Sequence, residues 1–220
     1  ATLVSLGGWD ASFQASAGGL DSLIGPRCVS WLYGTTAVVA YVGSFTWALG
    51  RRRPGNACIA LVTGLSLFLL VSSAWNPNSS SIPEQPFLVA SELATALLLG
   101  SAMVSMLLGH WYLTSPSMSL APLWRLLGIL ALIAGCRVLL SIAGLWLAWD
   151  QLASANRTML MLLRWLAGVA GPPVVVLLSW RILKYRNTQS ATGVLYAGVV
   201  LALIGELTAS MLSRELKIPV

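Results

Sequence analysis

The chain contains six long apolar runs that are separated by short polar connectors. The runs cover residues 28–49, 57–74, 87–113, 123–149, 158–183 and 193–212. Each run approaches or exceeds the ~20 residues that a helix needs to cross ~30 Å of hydrocarbon. A transmembrane β-barrel would show short segments of alternating polarity instead. The pattern therefore predicts an all-α, polytopic membrane bundle of about six transmembrane helices.

The composition agrees with the bilayer as solvent. Of 220 residues, 57% are hydrophobic and 9% are charged, whereas about a quarter of the residues of soluble domains are charged. This chain lacks the polar residues that a soluble fold of its size needs to cover its surface. The connectors are too short to form separate domains. We therefore predict one multi-pass transmembrane domain over residues 28–220.

Residues 1–27 differ from the six runs because Gly, Asp and other polar residues interrupt their apolar stretches. They also lack the basic start and continuous apolar core of a signal peptide. We predict an extramembrane or interfacial segment here. A seventh transmembrane helix is the alternative interpretation.

Basic residues at the ends of the runs predict the orientation. In a six-helix arrangement, seven of them fall on one face, namely Arg51, Arg52, Arg53, Arg125, Arg181, Lys184 and Arg186. The positive-inside rule then places both termini outside, and we expect a bacterial inner (cytoplasmic) membrane. This topology accounts for the net charge of +6. A basic triplet in a turn is too small to bind nucleic acid.

Four ionisable residues lie within the predicted spans, each on a different helix: Glu92, Arg137, Arg164 and Glu206. A rise of ~1.5 Å per residue puts them about 8, 18, 9 and 10 Å below the outer ends of their helices. Charged groups at membrane depth usually face the bundle interior, where they pair or line a cavity. We predict a charge-compensated cluster that opens towards the outer face. A purely structural salt-bridge network is the alternative.

The single histidine, His110, lies at the predicted inner end of the third run, about five helical turns after Glu92 and on the same helix face. Beside Trp111 and Tyr112, it is a candidate to bind a quinone head group or a haem, or to lie among lipid headgroups. One histidine excludes a haem held by two histidines of this chain, so a haem would need a further ligand. The sequence also predicts no metal site.

Glycine and proline mark two further features. The residues Gly171-Pro172-Pro173 in the fifth run are expected to kink or break the helix, because proline lacks a backbone donor. The kink is a candidate wall of a binding pocket, or an architectural bend. Small residues elsewhere are expected to let helices approach closely; these are Gly64, Gly100, Gly128, Gly135, Gly144 and Gly198.

The last run and its exit, ATGVLYAGVVLALIGELTASMLSRELKIPV, resemble the end of the membrane-anchor subunits of polysulfide and dimethyl-sulfoxide reductases. In that family a terminal apolar helix carries a Gly-Glu pair, here Gly205-Glu206. The resemblance covers residues 191–220. It implies an anchor that exchanges quinone near the outer side and binds extracytoplasmic redox subunits, with Glu206 at the quinone site.

Three functions are therefore open. The first is a membrane-anchor subunit of an electron-transfer complex that binds quinone or quinol, in which Glu92 and Glu206 take protons while Arg137 and Arg164 hold the head group. The second is a non-catalytic scaffold that anchors other protein subunits in the bilayer. The third is a small-solute transporter, although the helices lack the paired interruptions typical of transporters.

Overall fold

The computed structural model describes residues 26–74, 84–114, 118–147 and 158–216, and most of these residues are helical. The helices are α1 (Pro26–Ala48), α2 (Arg52–Ala74), α3 (Glu84–Thr114), α4 (Ala121–Leu147), α5 (Thr158–Leu163), α6 (Gly171–Lys184) and α7 (Thr188–Leu216). A π-helical segment, Arg164–Ala170, joins α5 to α6 without a break. The fifth apolar run is thus one continuous helix with a π-helical middle.

Six helices in the described residues are long and apolar enough to cross a membrane. This confirms the prediction of an all-α, multi-pass membrane bundle. The described part of the chain contains no strand. The first helix begins at Pro26, so most of the predicted lead-in segment, 1–27, lies outside the described residues.

Several helices begin earlier than the apolar runs predict, because prolines of the connectors lie in the first helical turns. Pro54, Pro86 and Pro122 lie in the first turns of α2, α3 and α4. A proline there costs little, since the N–H groups of the first turn have no acceptor within the helix. Polar residues before the apolar run therefore join the helix, and α2 starts at Arg52 instead of residue 57.

The connector before the last helix is also shorter than predicted. Only Tyr185, Arg186 and Asn187 separate α6 from α7. Arg186 adopts a positive φ of 56°, and the Asn187 side chain accepts a hydrogen bond of 3.1 Å from the backbone N–H of Ser190. Asn187 thus caps the N-terminus of α7. The cap explains why α7 starts at Thr188, five residues before the apolar run.

Backbone contacts divide the chain into two compact units, Ala1–Glu92 and Leu93–Val220, called here the N-terminal and C-terminal units. In the N-terminal unit, α1 and α2 form a tight antiparallel hairpin. A Cβ atom added at Gly43 would lie 2.8 Å from the Cβ of Cys58, and one at Gly55 would lie 2.3 Å from the Trp47 ring. The missing side chains of these glycines let the two helices approach.

The C-terminal unit has a continuous apolar core. It is formed by buried residues of α3, α4, α6 and α7, and the side chains with the least exposure are Leu98, Leu123, Leu127, Leu183, Ala191 and Leu195. The rings of Trp124 and Trp180 meet edge-on at one border of this core, with their centroids 5.5 Å apart. This packing holds the helices that carry the buried charged residues.

The side chain of Tyr112 ties the end of α3 to the connector before α4. Tyr112 is buried, and its hydroxyl donates a hydrogen bond of 2.6 Å to the backbone oxygen of Ser119. We expect Tyr112→Phe to lower the free energy of unfolding by about 1 kcal/mol, because the Ser119 carbonyl loses its donor. Thermal unfolding in detergent, followed by circular dichroism, measures this. Tyr41→Phe, at an exposed tyrosine, is the control, and an equal loss there would contradict the prediction.

Candidate functional site: a buried ion network in the C-terminal unit

The Glu206 carboxylate lies at the centre of a buried polar network. Arg137 of α4 binds it through two parallel hydrogen bonds. Nε donates to Oε1 over 2.9 Å, and Nη2 donates to Oε2 over 2.7 Å. This two-pronged arrangement is the strongest geometry that an arginine and a carboxylate form. Glu206 and Arg137 therefore fix the register of α7 against α4.

Two further side chains donate to the same carboxylate. Arg164, at the start of the π-helical segment, donates from Nη1 to Oε1 over 3.3 Å. Thr95 of α3 donates from its hydroxyl to Oε2 over 2.8 Å. Each carboxylate oxygen thus accepts two hydrogen bonds, which fills the roughly four acceptor positions of the group.

Arg164 also reaches beyond the carboxylate. Its Nη2 donates to the hydroxyl of Ser141 over 3.0 Å, and its Nη1 lies 3.4 Å from the backbone oxygen of Gly205. Arg137, Arg164 and Glu206 are only 3%, 1% and 7% exposed. A charge at this depth is costly unless it is paired and hydrogen-bonded, so these contacts make the buried charges tolerable.

The π-helical segment Arg164–Ala170 places Arg164 in the network. π-Helices are rare and concentrate at functional positions, because they interrupt the regular rotation of side chains along a helix. Here Gly168 within the segment crosses Gly205 of α7. A Cβ added at Gly205 would lie 2.1 Å from the Cα of Gly168. The two glycines therefore let the backbones touch beside Glu206, which brings Arg164 within reach of the carboxylate.

The helix is not broken at Gly171-Pro172-Pro173, and the expected kink stays a prediction. The π-helical segment ends at Ala170, and α6 begins at Gly171 with the prolines at its first positions. Pro172 and Pro173 lack the N–H groups that would donate to carbonyls of the preceding turn, and that turn is the one with the wider π-helical pattern. The chain accommodates the two prolines by the change from π- to α-helix and continues as one helix.

The proline segment also lines a cavity, as one interpretation of the sequence expected. Pro172 is one wall, and apolar residues of α3, α4, α6 and α7 form the others. The cavity holds about one water-sized molecule, so a quinone ring does not fit into it. This cavity therefore does not form a binding pocket for a large ligand.

Within the C-terminal unit, the structure brings together the candidate site residues Arg137, Arg164 and Glu206. Glu92 is an exposed residue of α3 and the last residue of the N-terminal unit. His110 is an exposed residue near the end of α3, where its ring meets that of Tyr196 edge-on at a centroid distance of 6.4 Å. The role of all five in binding a cofactor stays a prediction.

Thr95 and Ser141 belong to the network although the sequence analysis does not identify them. Ser141 follows Arg137 by four residues, so both project from one face of α4. Thr95 lies one helical turn after Glu92. Hydroxyl groups within one turn of each charged residue of the apolar runs include both residues, and a charge in hydrocarbon needs such partners.

Two polar atoms in the described part of the chain are buried without a hydrogen-bond partner: Nε of Arg164 and the hydroxyl of Ser179. Buried donors are usually satisfied, so each such atom needs a physical explanation. Among the described residues, Nε is the nitrogen of the Arg164 guanidinium that has no hydrogen-bond partner.

The prediction that the small residues let helices approach closely is wrong at four glycines. A Cβ added at Gly64, Gly100, Gly128 or Gly135 would meet nothing within 4 Å. Gly198 does pack, against Val175, and among the described glycines an added Cβ meets the nearest backbone at Gly205, against Gly168. The spacing of small residues does not reveal which glycine faces a neighbouring helix, because that depends on how the helices are rotated.

No protein-family model, no curated protein and no solved structure matches this chain. The resemblance of residues 191–220 to reductase membrane anchors therefore stays a prediction.

Proposed function

We propose that this chain is a non-catalytic scaffold, a membrane-anchor subunit that positions other protein subunits at a bacterial cytoplasmic membrane. The observation that carries the proposal is the filled coordination of Glu206. Both of its carboxylate oxygens already accept two hydrogen bonds from protein donors. A ligand would have to displace one of these donors to bind the carboxylate.

The arrangement of the donors supports a fastening role. Thr95, Arg137 and Arg164 come from three different helical spans, and all three bind the carboxylate on α7. Water in the bilayer core is scarce, so a broken polar contact there is not readily replaced. The network therefore resists sliding or rotation of any one helix, and a rigid bundle of this kind suits an anchor.

A redox role is the second candidate, and the unpartnered Nε of Arg164 favours it. A quinone carbonyl is an acceptor that such a donor can bind. In this alternative the chain is the quinone-binding anchor of an electron-transfer complex. Arg137 and Arg164 hold the head group, and Glu206 takes a proton when quinol is oxidised. Opening of the network would have to precede binding, because Nε is buried.

One variant separates the two functions: Arg137→Met, Arg164→Met and Glu206→Leu combined. Replacing a whole buried ion network by apolar residues of similar volume is often neutral or stabilising. Under the scaffold proposal we expect the triple variant to unfold within a few degrees of the wild type. Quenching of tryptophan fluorescence by short-chain ubiquinone and naphthoquinone analogues measures binding to the purified proteins. We expect the same weak quenching in both.

Saturable binding of an analogue to the wild type, lost in a folded triple variant, would overturn the scaffold proposal and support the redox role. A triple variant that does not fold would also contradict it, because internal fastening by charge should be replaceable by apolar packing. Thr95→Val with Ser141→Ala is the matched control. It removes hydrogen-bonding hydroxyls from the network and keeps all three charges.

A further inference from the structure

Three arginines follow one another in the turn between α1 and α2, and all three are exposed. Arg51 occupies the turn, while Arg52 and Arg53 begin α2. The backbone oxygen of Arg51 accepts the N–H of Gly55 over 3.2 Å, and the N–H of Arg51 donates to Thr46 over 3.1 Å. The backbone that carries the guanidinium groups is thus held at both helix ends.

The first turn of α2 adds donors of its own. The N–H groups of Arg52 and Arg53 have no acceptor within the helix, because the first turn precedes the hydrogen-bonded pattern. The residue after them, Pro54, has no N–H. The first turn contains no acidic residue, so no carboxylate of the turn neutralises the positive end of the helix dipole. Phosphate groups bind well where helix N-termini and guanidinium groups coincide.

The turn also lies where lipid headgroups are. It connects two helices that are each long enough to span the membrane, so it lies at a membrane surface. The Trp47 ring packs against Gly55 beside the turn, and tryptophan is typical of the headgroup level. This contact holds the start of α2 against the end of α1, which keeps the three arginines in one place.

We propose that the Arg51–Arg53 turn binds the phosphate of an anionic phospholipid headgroup. The guanidinium groups form paired hydrogen bonds to phosphate oxygens, and the free N–H groups of the first turn of α2 complete the site. The acyl chains lie along the exposed apolar side chains of the hairpin, of which Phe45 and Ile59 are two. This site is independent of the buried network and of the function proposed for it.

Native mass spectrometry of the purified full chain tests the site. The protein is titrated with phosphatidylglycerol and with phosphatidylcholine of the same acyl chains, and the ratio of the two affinities is compared between variants. Each basic residue near an anionic headgroup contributes roughly fivefold to affinity. We therefore expect the ratio to fall by about tenfold or more in Arg51→Gln, Arg52→Gln, Arg53→Gln combined.

The matched control is Arg181→Gln, Lys184→Gln, Arg186→Gln combined. It also removes three exposed positive charges, but Arg181 and Lys184 lie in the last turn of α6, where the helix dipole disfavours anions. We expect this variant to keep the wild-type ratio. An equal fall in both variants, or an unchanged ratio in the first, would overturn the proposal. Displacement of the lipid by millimolar inorganic phosphate would overturn the assignment to a lipid and indicate a soluble phosphate ligand.

Discussion

Glu206→Leu is expected to lower the free energy of unfolding by about 3 to 5 kcal/mol, because it breaks a buried ion network by removing its central partner. Arg137 loses both hydrogen bonds to the carboxylate. Among the described residues, Arg164 keeps the Ser141 hydroxyl and the Gly205 backbone oxygen as acceptors. Two guanidinium groups then remain buried without the negative charge between them, in a medium that screens their repulsion poorly.

Thermal unfolding in detergent measures this loss, and graded variants show its origin. Thr95→Val removes one hydrogen bond to the carboxylate and keeps every charge. We therefore expect it to lower the free energy of unfolding by no more than about 3 kcal/mol. Glu206→Gln keeps one acceptor oxygen and should lie between Thr95→Val and Glu206→Leu. If Glu206→Leu and Thr95→Val had the same free energy of unfolding, the charge of Glu206 would not be the main source of the stability of the network.

Gly205→Ala is the second substitution expected to have a large effect. The new Cβ would lie 2.1 Å from the Cα of Gly168 and 2.6 Å from its nitrogen. Both are backbone atoms, so no side chain can rotate away and the two helices must separate. Overpacking of this kind costs about 1 to 3 kcal/mol, and more where the backbone has to move. We expect a loss at or above the upper end of that range.

Gly193→Ala provides the control on the same helix. A Cβ at Gly193 would meet nothing within 4 Å, and alanine is favoured over glycine within helices by about 0.5 to 1 kcal/mol. The same substitution should therefore be neutral or stabilising at position 193 and strongly destabilising at position 205. Equal effects at both positions in a thermal unfolding assay would show that the two helices do not cross at Gly205.

The two large effects are connected by geometry. Gly205 directly precedes Glu206, and Gly168 lies one turn after Arg164. Separating the backbones at the glycine crossing would lengthen the 3.3 Å contact between Arg164 and the carboxylate. Gly205→Ala should therefore also weaken the network. The losses of Gly205→Ala and Glu206→Leu are expected to be less than additive, because residues that share partners are energetically coupled.

Much of the site could be predicted from the sequence, since so few charges occur in the apolar runs. Arg137, Arg164 and Glu206 stand out by composition alone, and the helix directions place Arg164 and Glu206 at similar depth, with Arg137 deeper. Threonine and serine are common in membrane helices, so the sequence does not single out Thr95 and Ser141 as partners of the charged residues. The exposure of Glu92 depends on the rotation of α3, which composition does not set.

The sequence by itself determined the class and the spans of this protein. Hydrocarbon excludes unpaired backbone groups, so an apolar run of sufficient length becomes a helix wherever it occurs in a membrane. The tertiary structure alone decided how the helices meet. The π-helical segment, the crossing of Gly168 and Gly205, and the four hydrogen bonds to Glu206 depend on helix rotation and translation. These are fixed by packing between segments that are distant in sequence, and no local pattern records them.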